Sequence, residues 1–369
     1  MADGRPLRVL VAGGGTGGHL YPGIAIAEEV RTATGGEAVF VGTARGLETR
    51  LIPAAGFPLE LVRVSGLKRM GLRGLLRGLA RLPGAFLESA RILRRHRPDV
   101  VLGVGGYASG PLVFAAAVLG YPTAIQEQNS LPGFTNRVLG KLVRRVFVAF
   151  DDAAGRFGRG KVRFLGNPVR RSFLERAAAG AAAATGDAVV VLGGSQGSRA
   201  VNELASGMVR VLDARGRLPP VIHQTGADQF NEMQVNYAAL GYEGRVDLRP
   251  YIDDMPAVLG KAAVCVARAG ALTLAELAIM RRPAVLIPLP TAADDHQTMN
   301  ARAFERAGAA VVLPQGEASA TRLGDLVDGI LQDPARRAGM AEAMGTLARA
   351  GATRDIVAEL AAIAHVRRG

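Results

Sequence analysis

The sequence contains one cysteine in 369 residues, Cys265, and no long uninterrupted apolar run. A single cysteine cannot form an internal disulfide, which excludes a disulfide-stapled fold and favours a reducing compartment. The longest apolar stretch, residues 111–125, is broken by a Gly-Tyr-Pro sequence and is shorter than the ~20 residues that a membrane-spanning helix needs. The first residues also lack the apolar core of a signal peptide, so we expect a cytoplasmic protein without a transmembrane helix.

Motifs for metals and for nucleic acids are absent as well. No Asp-x-Asp motif occurs, and the three Asp-Asp doublets follow no divalent-cation pattern, so we predict neither a catalytic metal nor another cofactor. Aromatic residues make up 5% of the chain and no nucleic-acid motif is present, which leaves little provision for stacking on bases.

The positive charge is unevenly divided along the chain. The formal net charge is +13, and residues 1–180 hold 26 Lys and Arg against 12 Asp and Glu, whereas residues 181–369 hold 19 against 20. This one-sided excess indicates that the N-terminal half meets an anionic partner, such as nucleic acid, membrane phosphate or a phosphorylated substrate.

Short apolar segments alternate with helix-length segments throughout the chain. Examples of the strand-like segments are residues 8–12, 38–41, 100–104, 188–192, 221–224, 263–267 and 284–288. Continuous apolar strands between helices are typical of a parallel sheet that is covered on both faces, so the predicted class is α/β.

A weak internal repeat indicates two similar domains. Val9–Gly18 and Val190–Ser198 each read as a buried strand that opens into a glycine turn and then a helix, and they begin about 180 residues apart. This pattern predicts two nucleotide-binding-type domains in tandem, with a boundary near Pro168. The tail reads as two helices, residues 335–349 and 353–366.

The first glycine turn carries candidate catalytic and phosphate-binding residues. Gly13, Gly15 and Gly18 match G-x-G-x-x-G, a spacing that brings backbone amides and a helix N-terminus against phosphate; a tight turn without a ligand is the alternative. The second strand ends at Thr43 with no carboxylate at its tip, which argues against NAD and for another phosphorylated ligand. The helix dipole would keep His19 neutral and therefore basic, although His19 could merely hydrogen-bond the loop.

Two more loops with unusual composition follow apolar strands in the first half. Gly105-Gly106-Tyr107 comes after one strand, and residues 126–137 are unusually polar for a strand end. Because the carboxyl ends of parallel strands converge, we expect these loops to line a ligand cleft, with ordinary capping roles as the alternative for each residue.

In the second half, residues 268–276 (Arg-Ala-Gly-Ala-Leu-Thr-Leu-Ala-Glu) follow another apolar strand. A helix that begins near Ala271 would offer its amides and the Thr273 hydroxyl to a phosphate, and Glu276 could accept from the hydroxyls of a ribose. A capping box between Thr273 and Glu276 explains the same pair without a ligand. The polar cluster 294–300 could contact a sugar or start a helix.

Basic residues recur at every fourth position among the leucines of residues 66–87. This basic stripe consists of Arg69, Arg73, Arg77 and Arg81, with Lys68 beside it. Such a segment binds an anionic bilayer by charge and shallow insertion, and nucleic acid or a plain solvated helix face are the alternatives.

Several of these motifs occur in a characteristic order. They are Gly-Gly-Thr-Gly-Gly-His (14–19), Gly-Gly-Tyr (105–107), Glu-Gln-Asn (127–129), Gly-Asn-Pro-Val-Arg (166–170), Gly-Gly-Ser-Gln-Gly (193–197), the 268–276 segment and Asp-His-Gln (295–297). In this order they resemble the MurG family of N-acetylglucosaminyltransferases, over nearly the whole chain. The resemblance implies a GT-B fold, in which two Rossmann-like, doubly wound parallel-sheet domains face each other across a cleft. Residues 1–167, joined by a C-terminal helix (352–369), would bind acceptor and membrane, and residues 168–351 would bind UDP-GlcNAc.

The resemblance also implies roles for individual residues. The donor UDP-GlcNAc would be bound by Thr16, Gly17, Gly18, Asn129, Arg170, Ser195, Ile252, Arg268, Ala271, Leu272, Thr273, Glu276 and Gln297. The acceptor pyrophosphate would lie among Gly14, Gly15, His19, Gly105, Gly106 and Tyr107. His19 is the first candidate for the catalytic base, and Glu127 is the second.

The implied reaction is the inverting transfer of GlcNAc to the 4-hydroxyl of MurNAc in lipid I, which forms lipid II in peptidoglycan synthesis. The enzyme would lie peripherally on the cytoplasmic face of the cell membrane, with the basic stripe on the anionic inner leaflet, and cell-wall assembly proteins are candidate partners. The alternatives are another GT-B enzyme, such as a diacylglycerol glycosyltransferase or a UDP-GlcNAc 2-epimerase, and, from a different class, a basic protein that binds nucleic acid.

Overall fold

The computed structural model describes residues 6–44, 46–63, 72–106, 108–158, 160–181 and 186–365, with the backbone alone for residues 72–82, 181 and 293. The chain divides into two compact units. Unit 1 comprises Met1–Arg170 with Ala350–Gly369, and unit 2 comprises Arg171–Arg349. Each unit is built around one parallel sheet.

Unit 1 contains a seven-stranded sheet in the order β3-β2-β1-β4-β5-β6-β7. Its strands are β1 Arg8–Gly13, β2 Glu37–Gly42, β3 Leu59–Leu61, β4 Val100–Gly105, β5 Thr123–Glu127, β6 Arg145–Val148 and β7 Val162–Phe164. Its helices are α1 Gly17–Thr34, α2 Glu48–Ala54, α3 Leu72–His96, α4 Ser109–Val118, α5 Phe134–Leu139, α6 Asp151–Ala154 and, from the end of the chain, α15 Ala352–His365.

Alternate residues of β1 build two separate layers of the unit 1 core. Val9 and Val11 pack with residues of α1 and α15 on one face of the sheet. Leu10 and Ala12 pack with residues of α3 and α4 on the other face. Successive side chains of a strand point to opposite faces, so a strand covered by helices on both sides must be apolar at every position.

The last helix, α15, belongs to unit 1. Ile356 and Leu360 are buried in the same cluster as Val9. On its polar side, Glu359 accepts hydrogen bonds from Arg145 Nε at 2.9 Å and Arg163 Nε at 3.1 Å. Burial would raise the pKa of the Glu359 carboxyl, but the two arginines more than offset this and hold it below its usual range.

Unit 2 contains a six-stranded parallel sheet in the order β10-β9-β8-β11-β12-β13. Its strands are β8 Ala188–Leu192, β9 Val221–Gln224, β10 Val246–Arg249, β11 Ala262–Ala267, β12 Ala284–Leu286 and β13 Ala310–Val312. Its helices are α7 Arg171–Arg176, α8 Arg199–Ala214, α9 Phe230–Ala239, α10 Met255–Gly260, α11 Ala271–Ile279, α12 His296–Arg306, α13 Ala320–Leu331 and α14 Pro334–Thr346.

Each sheet has one place where the strand order reverses, between β1 and β4 in unit 1 and between β8 and β11 in unit 2. The loops that follow the two central strands diverge at such a reversal and leave a crevice at the carboxyl edge of the sheet. The glycine turns predicted from the sequence lie at these two reversals.

Candidate active site

In unit 1 the loops after β1 and β4 lie side by side. Gly13 and Gly105 are partners in the register of the two strands, so both loops start at the same level of the sheet. A Cβ atom on Gly106 would lie 2.3 Å from the carbonyl oxygen of Gly14, which shows that the two backbones are in direct contact. Gly105 and Gly106 also adopt positive φ angles of 102° and 82°, which favour glycine.

His19 lies in the first turn of α1, against the loop that follows β4. A Cβ atom on Gly105 would lie 2.6 Å from His19 Nδ1, so the imidazole packs directly on this backbone. The backbone amide of His19 donates to the carbonyl oxygen of Thr16 at 3.2 Å. Thr16 is the N-cap but makes no side-chain capping bond, and the first turn contains no acidic residue. The amides of Gly17 and Gly18 therefore begin a helix whose N-terminus is suited to an anion.

Glu48, at the start of α2, is a buried carboxylate that was not among the residues predicted from the sequence. One of its oxygens accepts from the Gly15 amide at 2.9 Å, and the other accepts from the Thr43 amide at 2.9 Å and the Thr43 hydroxyl at 2.7 Å. The expectation that no carboxylate lies at the tip of β2 was therefore wrong, because α2 brings one back to it. A glutamate at the first position of a helix directly after β2 was the available signal.

Glu127, the second candidate base, is held by its own loop. One carboxylate oxygen accepts from the amide and the side chain of Asn129 at 3.0 and 3.3 Å. The other accepts from the Gly133 amide at 3.1 Å and the Asn136 side chain at 2.9 Å. With an exposure of 2%, this carboxylate shapes the loop after β5 and keeps the half-buried Asn129 in place.

The remaining unit 1 candidates are distributed as follows. The guanidinium of Arg170 lies 5.0 Å from the centre of the Tyr21 ring, a cation–π contact that fixes it near the start of α1. Tyr107, Lys68 and Arg69 lie outside the described residues. The backbone of residues 73, 77 and 81 lies in α3, but their side chains are outside the description.

In unit 2 the N-terminus of α11 lies directly after β11. Gly270 is the N-cap and makes no side-chain capping bond, so Ala271, Leu272 and Thr273 supply the first three amides of the helix. These amides have no acceptor within the helix, which suits them to phosphate oxygens. Because Thr273 lies inside the first turn and is not the N-cap, the capping-box alternative is wrong. Glu276 is buried one turn further along the same face.

Arg268 joins the loops around α11 to one another. Its Nη1 donates to the carbonyl oxygens of Ile287 and Pro288, both at 3.0 Å. Its Nη2 donates to Ser198 Oγ and Gln315 Oε1, both at 2.7 Å. Burial lowers the pKa of this guanidinium. Its terminal nitrogens thus bond neutral protein oxygens from the loops after β8, β12 and β13, so Arg268 holds these three loops together next to α11.

Ser195 and Ile252 come from the loops after β8 and β10. Ser195 is exposed in the glycine turn, whose shape depends on positive φ angles of 94° at Gly194 and 76° at Gly197. A Cβ atom on Gly197 would lie 2.0 Å from the carbonyl oxygen of Thr225, so this turn packs on the loop after β9. Ile252 is buried in the loop between β10 and α10.

Gln297 lies in the first turn of α12 and is half-buried. Its side-chain oxygen accepts from the Leu289 amide at 3.1 Å, which connects α12 to the loop after β12. Asp294 and Asp295 precede it with positive φ angles of 55° and 54°, a conformation that is uncommon for residues with a side chain. A helix does start within the polar cluster 294–300, as one of the two alternatives predicted. The Asp295 side chain, however, makes no capping bond to an amide.

A buried histidine supports the loop after β9. His223 contacts the Tyr237 hydroxyl through Nδ1 and the Asn202 side-chain oxygen through Nε2, both at 3.0 Å. The Asn202 side chain in turn donates to the carbonyl oxygen of Thr225 at 3.0 Å. Burial lowers the pKa of His223 to about 3, so the ring is neutral at physiological pH.

Within the described part of the chain, no group of three or more His, Cys, Asp or Glu side chains is placed to hold a metal ion. The two reversals offer helix N-termini, glycine-turn amides, the His19 imidazole and buried carboxylates. Helix N-termini of this kind bind phosphate groups, and a neutral histidine next to one of them can accept a proton.

Comparison with known proteins gives matches over both units. Residues 9–148 match the glycosyltransferase family 28 N-terminal domain, and residues 188–358 match the C-terminal domain of the same family. A UDP-N-acetylglucosamine--N-acetylmuramyl-(pentapeptide) pyrophosphoryl-undecaprenol N-acetylglucosamine transferase of Myxococcus xanthus is 48% identical over 354 residues, which cover 95% of this chain and 91% of the relative. A transferase of the same name from an Anaeromyxobacter species is 47% identical and covers 98% of this chain and 95% of its own.

Solved structures agree on the fold. The crystal structure of Acinetobacter baumannii MurG matches with a TM-score of 0.76 at 28% identity, covering 96% of this chain and 99% of its own. A UDP-N-acetylglucosamine 2-epimerase matches with a TM-score of 0.68 at 14% identity, covering 96% and 95%, and at this identity it shows the fold alone. The predicted α/β chain of the GT-B class, with two doubly wound parallel sheets, is confirmed.

Proposed function

This chain belongs to the MurG family of glycosyltransferases, and from this we infer that it transfers GlcNAc from UDP-GlcNAc to the 4-hydroxyl of MurNAc in lipid I. The product is lipid II, a precursor in peptidoglycan synthesis for cell-wall growth. The observation that carries this conclusion is the identity of 47–48%, over at least 95% of the chain, to transferases named for this reaction.

We propose that unit 2 binds the donor. The first amides of α11, from Ala271 to Thr273, would hold the diphosphate together with Ser195, and the buried carboxylate of Glu276 would accept from the ribose hydroxyls. Ile252 would meet the uracil through its backbone. Gln297 would contact the sugar through its amide nitrogen, because its oxygen already accepts from Leu289.

The acceptor pyrophosphate would lie on unit 1, between the loops after β1 and β4. The amides of Gly17 and Gly18 at the start of α1 are placed for phosphate oxygens, while the Gly15 amide already donates to Glu48. Thr16 and the glycines 14, 105 and 106 would form the walls of this pocket.

We propose His19 as the base that removes the proton of the acceptor hydroxyl as the new glycosidic bond forms. Such a base contributes about 10²–10⁴ in rate. The geometry favours His19 over Glu127, because each oxygen of Glu127 already accepts two hydrogen bonds from its own loop. The developing charge on the leaving UDP would be stabilised by the α11 N-terminus.

We further propose that α3 and its neighbours dock on the anionic inner leaflet of the membrane. Helix α3 packs against α4, and α4 packs against α5. Their outer faces expose large apolar side chains, with 56% exposure at Leu87, 45% at Phe114 and 62% at Phe134. Arg137 and Lys141 are exposed beside Phe134. Basic and apolar groups on one face bind anionic bilayers by charge and shallow insertion, as the basic stripe predicts.

A peripheral position fits the helices of the structure. In the described ranges of the chain, none of the helices is both long enough and apolar enough to cross a bilayer. Docking through α3 would place unit 1 next to a lipid-linked acceptor, and it would explain why the positive charge is concentrated in the first half of the sequence.

A transfer assay tests the proposed reaction. Radiolabelled UDP-GlcNAc is incubated with a short-chain lipid I analogue, and the label should move to a product with the mass of the disaccharide lipid. Parallel reactions contain diacylglycerol or no acceptor. Label on diacylglycerol, or conversion of the donor to its 2-epimer without transfer, would contradict the proposal; the low identity to the epimerases, at 14%, does not favour that activity.

A further inference from the structure

The glycine loop after β1 is built around the carboxylate of Glu48. Glu48 has 0% exposure, and among the described residues its carboxylate accepts hydrogen bonds from neutral groups of Gly15 and Thr43. Burial would raise the pKa of this carboxyl, but the hydrogen bonds from Thr43 and Gly15 more than offset it and hold the pKa below its usual value. The group is therefore ionised at neutral pH, and it accepts hydrogen bonds from Gly15 in the loop after β1 and from Thr43 in the loop after β2.

Three glycines from different segments make room for this carboxylate. A Cβ atom on Gly14 would lie 2.5 Å from Glu48 Oε1, and one on Gly46 would lie 1.9 Å from Oε2. A Cβ atom on Gly42, at the end of β2, would lie 2.8 Å from Glu48 Cγ. Real Cβ atoms do not approach so closely, so the glycines at these positions and the glutamate depend on one another.

The same loop faces His19 and the β4 loop on its other side. Gly14 is in backbone contact with Gly106, and His19 packs on Gly105. Loop movement after loss of the Glu48 carboxylate would therefore reach Gly106 through Gly14, and His19 through the start of α1. A continuous chain of contacts connects the buried carboxylate to the imidazole, with Gly14 and Gly15 between them.

We propose that Glu48 is a positioning residue for the acceptor site: its carboxylate anchors the Gly14–Gly15 turn and thereby holds His19 and the first amides of α1 in their catalytic places. The inference rests on the proposed role of His19. Glu48 acts through the loop and does not touch substrate. In a phosphate-binding turn, an amide at this position would point to the ligand. Here the Gly15 amide donates to the Glu48 carboxylate instead.

The variant Glu48→Gln tests this with little change in volume. A carboxamide has one acceptor oxygen, so its NH₂ group must face either the Gly15 amide or the two Thr43 donors, and one attachment is lost. The matched control is Glu60→Gln in β3 of the same unit, whose carboxylate accepts from Arg95 and His96 instead of from a loop amide.

We expect Glu48→Gln to lower kcat by about tenfold or more while the KM for UDP-GlcNAc changes by less than about twofold. Glu60→Gln should leave both constants within about twofold of the native values. A second variant, Thr43→Val, removes only the hydroxyl donor and should lower kcat in the same direction by a smaller factor. Native kinetics in Glu48→Gln, or an equal loss in Glu60→Gln, would overturn the proposal.

Hydrogen–deuterium exchange of the protein without substrates gives a readout that does not depend on activity. The peptide that covers residues 11–20 should exchange faster in Glu48→Gln, by about tenfold at its fastest amides, and at the native rate in Glu60→Gln. If Glu48→Gln does not fold, Thr43→Val carries the same measurement. Unchanged exchange in this peptide would overturn the anchoring role. If the native enzyme makes no lipid II, the proposed function is wrong. The exchange experiment would still show whether Glu48 holds the loop after β1 in place.

Discussion

The imidazole of His19 rests on the backbone of Gly105, at a point where even a methyl group has no space. A Cβ atom there would lie 2.6 Å from His19 Nδ1 and 2.7 Å from Cε1. The φ angle of Gly105 is 102°, so the backbone conformation also favours glycine. The contact joins α1 to the end of β4 and sets the height of the imidazole above the sheet.

Gly105→Ala should therefore impair catalysis. The added methyl group must displace the imidazole, and misplacement of a catalytic group by about 1 Å can cost about 100-fold in rate. We expect kcat to fall by this order, while the KM for UDP-GlcNAc stays within about twofold. The control is Gly56→Ala. At Gly56 φ is 74°, but no atom lies within 4 Å of the added Cβ, so this variant introduces backbone strain without a steric clash. Equal kcat losses in both variants would argue against a specific role of the His19 contact.

Removal of the proposed base gives a second prediction. His19→Ala should reduce kcat by about 10²–10⁴, with donor affinity nearly unchanged, because the imidazole accepts a proton only as the new bond forms. Steady-state kinetics and calorimetric titration of UDP-GlcNAc measure the two quantities separately. Turnover at the native rate would assign the base to another group.

Glu276 should affect the donor alone. Loss of hydrogen bonds between a carboxylate and the ribose hydroxyls costs about 1.5–3 kcal/mol, so Glu276→Ala should raise the KM for UDP-GlcNAc by about 10- to 100-fold. The KM for the lipid I analogue should change far less. Glu342→Ala, on the exposed surface of α14 in the same unit, is the control. An equal rise in both KM values would remove Glu276 from the donor site.

Membrane docking should depend on the basic stripe. Reversal of Arg73, Arg77 and Arg81 to Glu should abolish sedimentation with anionic phospholipid vesicles, because each basic residue near such a surface contributes about 1 kcal/mol. The control reverses the same number of exposed arginines in unit 2. These are Arg210, Arg322 and Arg336. Vesicle binding that survives the first reversal, or is lost equally in the second, would refute docking through α3.

The buried His223 should make stability depend on pH. Its pKa is about 3 in the folded protein and about 6.5 in an unfolded chain, so the unfolded state binds a proton first as the pH falls. The contribution of neutral His223 to the free energy of unfolding is therefore fully present well above pH 6.5. It is lost as the pH falls through 6.5, by about 1.4 kcal/mol between pH 7.5 and pH 5.5. Thermal unfolding at these two pH values measures the difference, and His223→Gln should reduce it. An identical pH dependence in the variant would show that other groups cause it.

The central strands and the glycine turns were predictable because their signals are local. The apolar runs of β1, β4 and β8 could be recognised from a few consecutive residues, and all seven predicted strands are present. The edge strand β3 showed no such signal. It has three residues, lies at a sheet edge and carries a charged residue, so its composition differs little from that of a loop.

The roles of the charged residues at the reversals were decided by tertiary structure. Glu48 accepts from Gly15, which is 33 residues away in the sequence, and Arg268 donates to Ser198 at a separation of 70 residues. The motif order assigned Arg268 to the donor site and made Glu127 a candidate base. In the fold, both side chains form several hydrogen bonds with groups of the surrounding loops.

From its residues alone, this sequence determined an α/β chain with two repeated strand–turn–helix units and, through the order of its motifs, the family to which it belongs. Apolar periodicity and glycine spacing act over a few neighbouring residues and can be read along the chain. Which polar side chains face a substrate and which support a loop depends on partners that only folding brings within 3 Å. A hydrogen bond is directional and short-ranged, so its partner is decided by the packed strands and helices.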